Sequence, residues 1–155
     1  MNLQSLITHY LDTAQQLQLA TSLNNKPWCV TVYFAHDNLY NLYWLSMADT
    51  RHSQELLINP QVAGAIISAQ NYGQPAIGLS VEGHARLIET NAEIEQHFEA
   101  YGERYNCHGR VQSIIDGSDG HKLYQLVPER FVLFDQVSFP NQPRQIWELT
   151  TIQTI

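Results

Sequence analysis

Apolar positions along the chain follow two different periods, and the change between them marks the elements. Leu3, Leu6, Ile7, Tyr10, Leu11, Ala14 and Leu17 recur at three and four residue spacing, which predicts a helix with one buried stripe. The period then becomes two. Leu19, Thr21 and Leu23 alternate, Asn24-Asn25-Lys26-Pro27 supplies turn chemistry, and Trp28, Val30, Val32 and Phe34 alternate with Cys29, Thr31, Tyr33 and Ala35. This predicts a β-hairpin. A turn at His36-Asp37-Asn38 leads into Leu39 to Ser46, whose aromatics on both faces predict a strand covered on each side.

A loop then presents Thr50, Arg51 and His52 before Ser53 and Glu55, and Gln54 to Ile58 read as a short helix stopped by Asn59-Pro60. Val62 to Ser68 form an apolar strand, Gln70 to Pro75 a loop, and Ile77 to Leu87 a long alternating strand in which Gly83 permits a bulge. Thr90 and Glu93 have capping-box spacing ahead of a helix with Ile94, Phe98, Tyr101 and Tyr105 inward. Residues 106–120 are the least regular: Val111, Ile114 and Ile115 allow one more helical turn or two before the loop Asp116 to Gly120. Lys122 to Val127 and Arg130 to Val137 predict an antiparallel pair across Pro128-Glu129, Arg144 to Leu149 a last edge strand, and Thr150 to Ile155 a frayed tail.

These elements predict a mainly β, α+β fold: an antiparallel barrel with peripheral helices. The expected single domain spans 1–155, with an N-terminal helix over 1–18, the barrel with inserted helices over 19–149 and the tail over 150–155. Open strand edges are a liability, so closure or dimerisation is expected.

Composition narrows the function. Hydrophobic residues at 44% and charged residues at 15% exclude a disordered chain. A formal charge of -7 argues against a general nucleic-acid or anionic-membrane binder, so a phosphate site has to be local. The first residues lack a signal-peptide pattern, no window reaches the roughly 18 apolar residues of a membrane span, and Cys29 and Cys107 give no disulfide framework. A soluble cytoplasmic protein is expected.

The candidate chemistry gathers at Thr50-Arg51-His52. Arginine offers a planar fork of donors for phosphate, the hydroxyls of Thr50 and Ser53 add donors, and a helix start favours negative charge. The plainer alternative is a solvated helix cap with an incidental arginine. The seven histidines show neither paired helix spacing with a carboxylate nor a cysteine pair in finger spacing, which argues against a metal site; Cys107-His108 suits an adventitious ion at most. Glu82 and His84 share a strand face and suit an acid and base pair or, more plainly, a polar barrel surface. Trp28, Trp44 and Trp147 suit a flavin stack or the core. No nucleophile elbow or phosphate-binding glycine loop occurs.

In order, the turn before Pro27-Trp28, a strand ending in Ser46, Thr50-Arg51-His52-Ser53, Asn59-Pro60-Gln61-Val62-Ala63 and Val81-Glu82-Gly83-His84-Ala85 resemble the FMN-binding split barrel of pyridoxamine 5'-phosphate oxidase and its small relatives. The resemblance covers roughly Leu17 to Val137. Phe139 to Trp147 are closer to a small bacterial branch of split-barrel proteins than to the oxidase itself. The resemblance implies a homodimer with FMN in a groove between subunits and a small-molecule substrate above the ring. It implies that Thr50, Arg51 and His52 hold the phosphate, that Ser46 lies near the phosphate or ribityl chain, and that Val30, Thr31, Val32 and Tyr33 run under the isoalloxazine.

There are departures from the family pattern. The strand under the flavin carries an Arg in the oxidase, where Val30 stands here, and a Lys of the phosphate loop is His52, whose ordinary pKa is about 6.5. The chain ends Trp147-Glu148-Leu149-Thr150-Thr151-Ile152 without the oxidase's terminal Arg-Leu-x-Pro type segment, so genuine pyridoxamine phosphate oxidation is not expected. Three readings remain at this stage: an FMN-dependent oxidoreductase, a non-catalytic flavin- or haem-binding sensing module, and a ligand-free structural dimer in which Arg51 only caps a helix.

Overall fold

The computed structural model of the chain describes residues 2–67 and 69–149. The predicted strand end at Ser68 and the predicted tail Thr150 to Ile155 lie outside the described residues.

Helix α1 (Leu3–Thr13) is capped by Asn2, whose side chain accepts from the Ser5 N–H, and it buries Leu6, Ile7 and Leu11. It stops before the end that the apolar spacing predicts. Ala14 is already extended, and Leu17 belongs to strand β1 (Gln16–Leu23). Leu17 fits both periods; pairing to two other strands decides the matter.

β1 turns into β2 (Lys26–Tyr33) through Asn24 and Asn25, both at positive φ, 52° and 59°. That is the two-residue hairpin turn whose hand matches strand twist. β2 is not the half-buried strand its alternation predicts. Only Val32 in it is buried, because β2 ends the sheet path and pairs on one side with β1.

The remaining elements are β3 (Ala35–His36), β4 (Leu42–Met47), α2 (Arg51–Ile58), β5 (Gln61–Ile66), β6 (Ile77–Leu87), α3 (Asn91–Tyr105), α4 (Arg110–Ile115), β7 (His121–Asp135) and β8 (Arg144–Glu148). The antiparallel sheet runs β2-β1-β5-β6-β7-β4-β3, with β8 beside β7. Its two end strands are separated in sequence only by Phe34. One run of chain thus belongs to both ends, and the sheet curls back on itself around a fully buried phenylalanine. The predicted antiparallel split barrel with peripheral helices is the architecture found.

β7 corrects the predicted pair of strands across Pro128-Glu129, for it is a single strand. Pro128 falls opposite Gly83, at the register shift in β6 between Glu82 and Gly83. A bulge tolerates a residue without an N–H and lets the strand bend instead of ending. β7 pairs with β4 through its first half and with β8 through its second.

Two cores result. Leu17, Leu19, Phe34, Trp44, Leu126 and Phe131 fill the barrel. On the other face of β4, Tyr43 packs with Leu123 and the α3 stripe Ile94, Phe98 and Tyr101. This second layer is why β4 is covered on both faces as predicted. Thr90 caps α3 by accepting from the Glu93 N–H, the capping box expected there. The Tyr43 hydroxyl donates to Asp37 Oδ2 (2.8 Å), accepts from Gln125 Nε2 (3.0 Å) and lies 3.0 Å from His97 Nδ1. Burial first, and Asp37 second, push its pKa far above the ordinary tyrosine value. Among the described residues no helix is long and apolar enough to cross a membrane.

The bulge gives a stability test. A methyl at Gly83 would run into the Val127 carbonyl and Pro128 Cα, both backbone. Gly83→Ala should cost about 2 kcal/mol or more, seen as a lower urea midpoint at unchanged m-value. An unchanged midpoint would mean that the two strands can separate there without loss.

Candidate functional site

β4 leaves the core at Met47, and the chain turns through Ala48 and Asp49 into α2. Thr50 is extended (φ -70°, ψ 151°), and its carbonyl accepts the first helical hydrogen bond, from the Gln54 N–H at 3.0 Å. The helix therefore begins at Arg51, earlier than the sequence predicts. The Thr50 hydroxyl donates to the Met47 carbonyl (2.9 Å) and lies 2.8 Å from Ser53 Oγ, so it does not cap the first turn. N–H groups left without a side-chain cap at a helix start favour an anion.

Arg51 occupies that helix start under constraint. Its Nε–H donates to Glu55 Oε1 at 2.7 Å, and its guanidinium carbon sits 4.6 Å from the centroid of the Trp28 ring. Glu55 is itself fixed, because its other oxygen accepts from the Thr21 hydroxyl at 2.6 Å. Thr21 and Glu55 are both buried, whereas the Arg51 side chain is 45% exposed. The Thr21 hydrogen bond first, then that of Arg51, hold the Glu55 carboxyl below the ordinary value of 4.5. Among the described residues no side chain engages the two Nη groups of Arg51. They form a flat, oriented, unspent fork.

His52 points the other way. It is buried, with Nε2 2.8 Å from Ser46 Oγ and 3.3 Å from Thr50 Oγ1. Burial lowers its pKa below 6.5, and the attraction of Glu55 only partly opposes this. The imidazole is therefore neutral at pH 7 in the ligand-free protein, and it supplies no second charge in that state. Ser46 is buried as well, its hydroxyl committed to His52.

Of the predicted site residues, Ser46, Thr50 and His52 are in contact with one another, while the neighbouring Arg51 directs its side chain to Glu55 and Trp28. Val30, Thr31, Val32 and Tyr33 form the neighbouring strand edge, which the Trp28 ring ties to that corner. Val32 is buried; Thr31 donates to Gln18 Oε1 at 2.8 Å, and Tyr33 is exposed, edge-on to Tyr105. Because β2 ends the sheet path, its outer rim of N–H and C=O groups is not taken up by another strand of the sheet.

The sequence reading missed Thr21 and Glu55, and it missed Trp28 as the platform of the guanidinium. The spacing of Arg51 and Glu55 is an ordinary helical pair and was legible. The other two contacts join distant segments. Trp44, by contrast, is fully buried against Tyr124.

Other candidates separate. Glu82 pairs with Arg130, and His84 Nδ1 lies 3.4 Å from Glu129 Oε1, so the two make no pair with each other. His108 faces Glu99 at 3.4 Å. Among the described residues no three histidine, cysteine or carboxylate groups are placed to hold a metal ion. A groove of about 720 Å³ runs between the end of α1, the loop after β3 and α3. Asp12, Asp37, Glu99 and Glu103 line it, and it shares no residue with the Arg51 corner. Its carboxylates oppose an anion.

A family model for pyridoxamine 5'-phosphate oxidase matches residues 7–153. A UPF0306 protein of Yersinia pestis is 30% identical over 89 residues, 57% of this chain and 60% of its own length. The aligned part thus spans less than two thirds of that relative. Among solved structures, a conserved hypothetical protein from Mycobacterium tuberculosis superposes with a TM-score of 0.73 at 17% identity, covering 90% of this chain and 89% of its own. A FAD-binding protein from Mesorhizobium loti superposes with a TM-score of 0.65 at 18% identity, covering 84% and 92%. At these identities the structures share the fold.

The buried hydrogen bond at Glu55 makes a pH prediction. A carboxyl held low in the folded state contributes stability in full above 4.5, and the contribution is lost as pH falls through the lowered folded value. Thr21→Val should therefore be less stable than the wild type at neutral pH, and the gap should narrow in acid. Urea denaturation at about pH 7 and about pH 3 measures it. An equal gap at both would show that Thr21 acts through packing and not through the carboxylate.

Proposed function

The chain belongs to the pyridoxamine 5'-phosphate oxidase family, and from that premise we propose that it is an FMN-binding flavoprotein serving a hydride- or electron-transfer reaction on a small molecule. The observation that carries this is the Arg51 fork, oriented by Glu55 and Trp28 beside the free rim of β2. A flavin nucleotide needs a phosphate anchor at one end and N–H donors along the polar edge of its ring at the other. Arg51 with the start of α2 suits the first, and the main chain of Val30 to Tyr33 suits the second. A FAD-binding protein of the same fold supports a flavin. The terminal monoester phosphate that a guanidinium fork grips belongs to FMN.

Bound FMN supplies hydride and single-electron chemistry. The chain's own contribution is to hold the phosphate, to present backbone donors where negative charge gathers on reduction, and to stack the strand edge against the ring.

The proposal includes a homodimer. The outer sheet face beside β2 carries the small residues Ala20, Cys29, Ala63, Ala65 and Ser80 around a depression of about 280 Å³. Ile67, Phe134 and Ile146 are exposed on the same chain. A face of short side chains lets another sheet come close, and a second subunit would complete the pocket above the ring.

Titration with FMN, FAD and riboflavin tests the reading. Wild-type protein should bind FMN more tightly than riboflavin, and Arg51→Ala should lose about 2 kcal/mol, roughly thirtyfold, for FMN alone. Equal affinity for FMN and riboflavin would remove the phosphate role from Arg51. Reduction of the bound flavin by NADH or NADPH distinguishes an enzyme from a binding module. For the dimer, light scattering should give twice the chain mass, and Ala63→Arg should give the monomer with weakened FMN retention. A wild-type monomer that retains FMN would rule out a shared site.

A further inference from the structure

The charges at the proposed site do not balance a phosphate monoester, and the register of the sheet indicates what completes them. Such a group carries about -1.5 to -2 at pH 7. Arg51 is half neutralised by its contact with Glu55, and His52 is neutral through burial. Among the other arginines, Arg86 is paired with Glu93, Arg110 with Asp119, and Arg130 with Glu82 and Glu148, while Arg104 on α3 donates to the Asp12 and Ala14 carbonyls and Arg144 stands on β8 opposite Phe134.

Lys122 is not spent. In the β4–β7 ladder it stands directly opposite Ser46. Directly opposed residues of an antiparallel pair share a face, with Cα atoms about 4.5–5.5 Å apart. Two residues further along the same face, Trp44 and Tyr124 are also opposed, and their rings stack at 5.8 Å with 14° between planes. The ladder therefore sets Lys122 on the face that carries Ser46, and Ser46 Oγ is 2.8 Å from His52. Its neighbour His121 alternates to the opposite face and is tied to Asp119 at 2.6 Å. Among the described residues the Lys122 side chain makes no hydrogen bond or ion pair, and the residue is neither fully buried nor fully exposed.

We propose that Lys122 is a second phosphate-binding residue, reaching the anion from the sheet side of the Ser46–His52 pair while Arg51 holds it from the helix side. This rests on the FMN reading above. A flexible ammonium on a four-carbon stem suits the part, since it adds a point charge without the fixed geometry that Glu55 imposes on Arg51. Lys122 then takes the place of the basic residue missing at Val30, from a strand far away in sequence.

The test is titration of FMN and riboflavin into wild type, Lys122→Gln, Lys122→Arg and Lys26→Gln, the last being an exposed lysine on β2. Lys122→Gln should weaken FMN about tenfold, leave riboflavin unchanged and flatten the salt dependence of FMN binding; Lys122→Arg should restore affinity, and Lys26→Gln should behave as wild type. Lys122→Met, neutral with a similar stem, is the companion should the glutamine variant fold poorly. Unchanged FMN affinity in Lys122→Gln, with Arg51→Ala still impaired, overturns the role of Lys122 and leaves the flavin reading intact. Parallel loss of FMN and riboflavin, or loss in Lys26→Gln instead, overturns it too. A wild type that binds no FMN overturns both.

Discussion

The constraint on which this molecule depends is that one run of chain, residues 26–36, serves both ends of the sheet. β2 pairs with β1, β3 pairs with β4, and only Phe34 lies between them. Closing the sheet in this way carries the rim of β2 to the place where β4 hands over to α2. The Trp28 ring and the Arg51 guanidinium meet there across a gap in sequence that no local propensity could bridge. Fold and site are in this sense a single event: if Phe34 did not fill the bend, the strand edge and the arginine would belong to different parts of the surface.

Within that corner, geometry is secured at the expense of charge. Thr21 and Arg51 share one buried carboxylate, which orients the guanidinium yet offsets much of its field. His52, drawn into the protein beside Ser46, gives up its own charge to burial. An anion held here is met by directed donors more than by net positive potential, in keeping with a chain whose formal charge is -7. Directed donors of this kind would suit the shape of a phosphate better than anions in general.

How much of this was legible in the sequence follows from which interactions are local. The α3 capping box, the turn at Asn24-Asn25 and the bulge at Gly83 are set by neighbouring residues and were anticipated. Errors fell where distant pairing overrides a local signal. Pro128 reads as a break between strands until it is set against Gly83, and Leu17 reads as helix until β1 finds its partners. In the site, the loop Thr50-Arg51-His52 was visible because its residue types speak for themselves. That His52 turns inward, that Glu55 is fastened to Thr21 and that Lys122 stands across from Ser46 are facts of register and burial, which no linear spacing encodes.

The central claim is that the corner between β4 and α2 holds the phosphate of a flavin nucleotide. A crystal structure of the protein with FMN tests it most directly. The phosphate is expected within hydrogen-bond distance of the Arg51 Nη groups, with the ring along the rim of β2. A flavin bound instead in the acidic groove between α1 and α3, or one whose phosphate points to solvent away from Arg51, would contradict it.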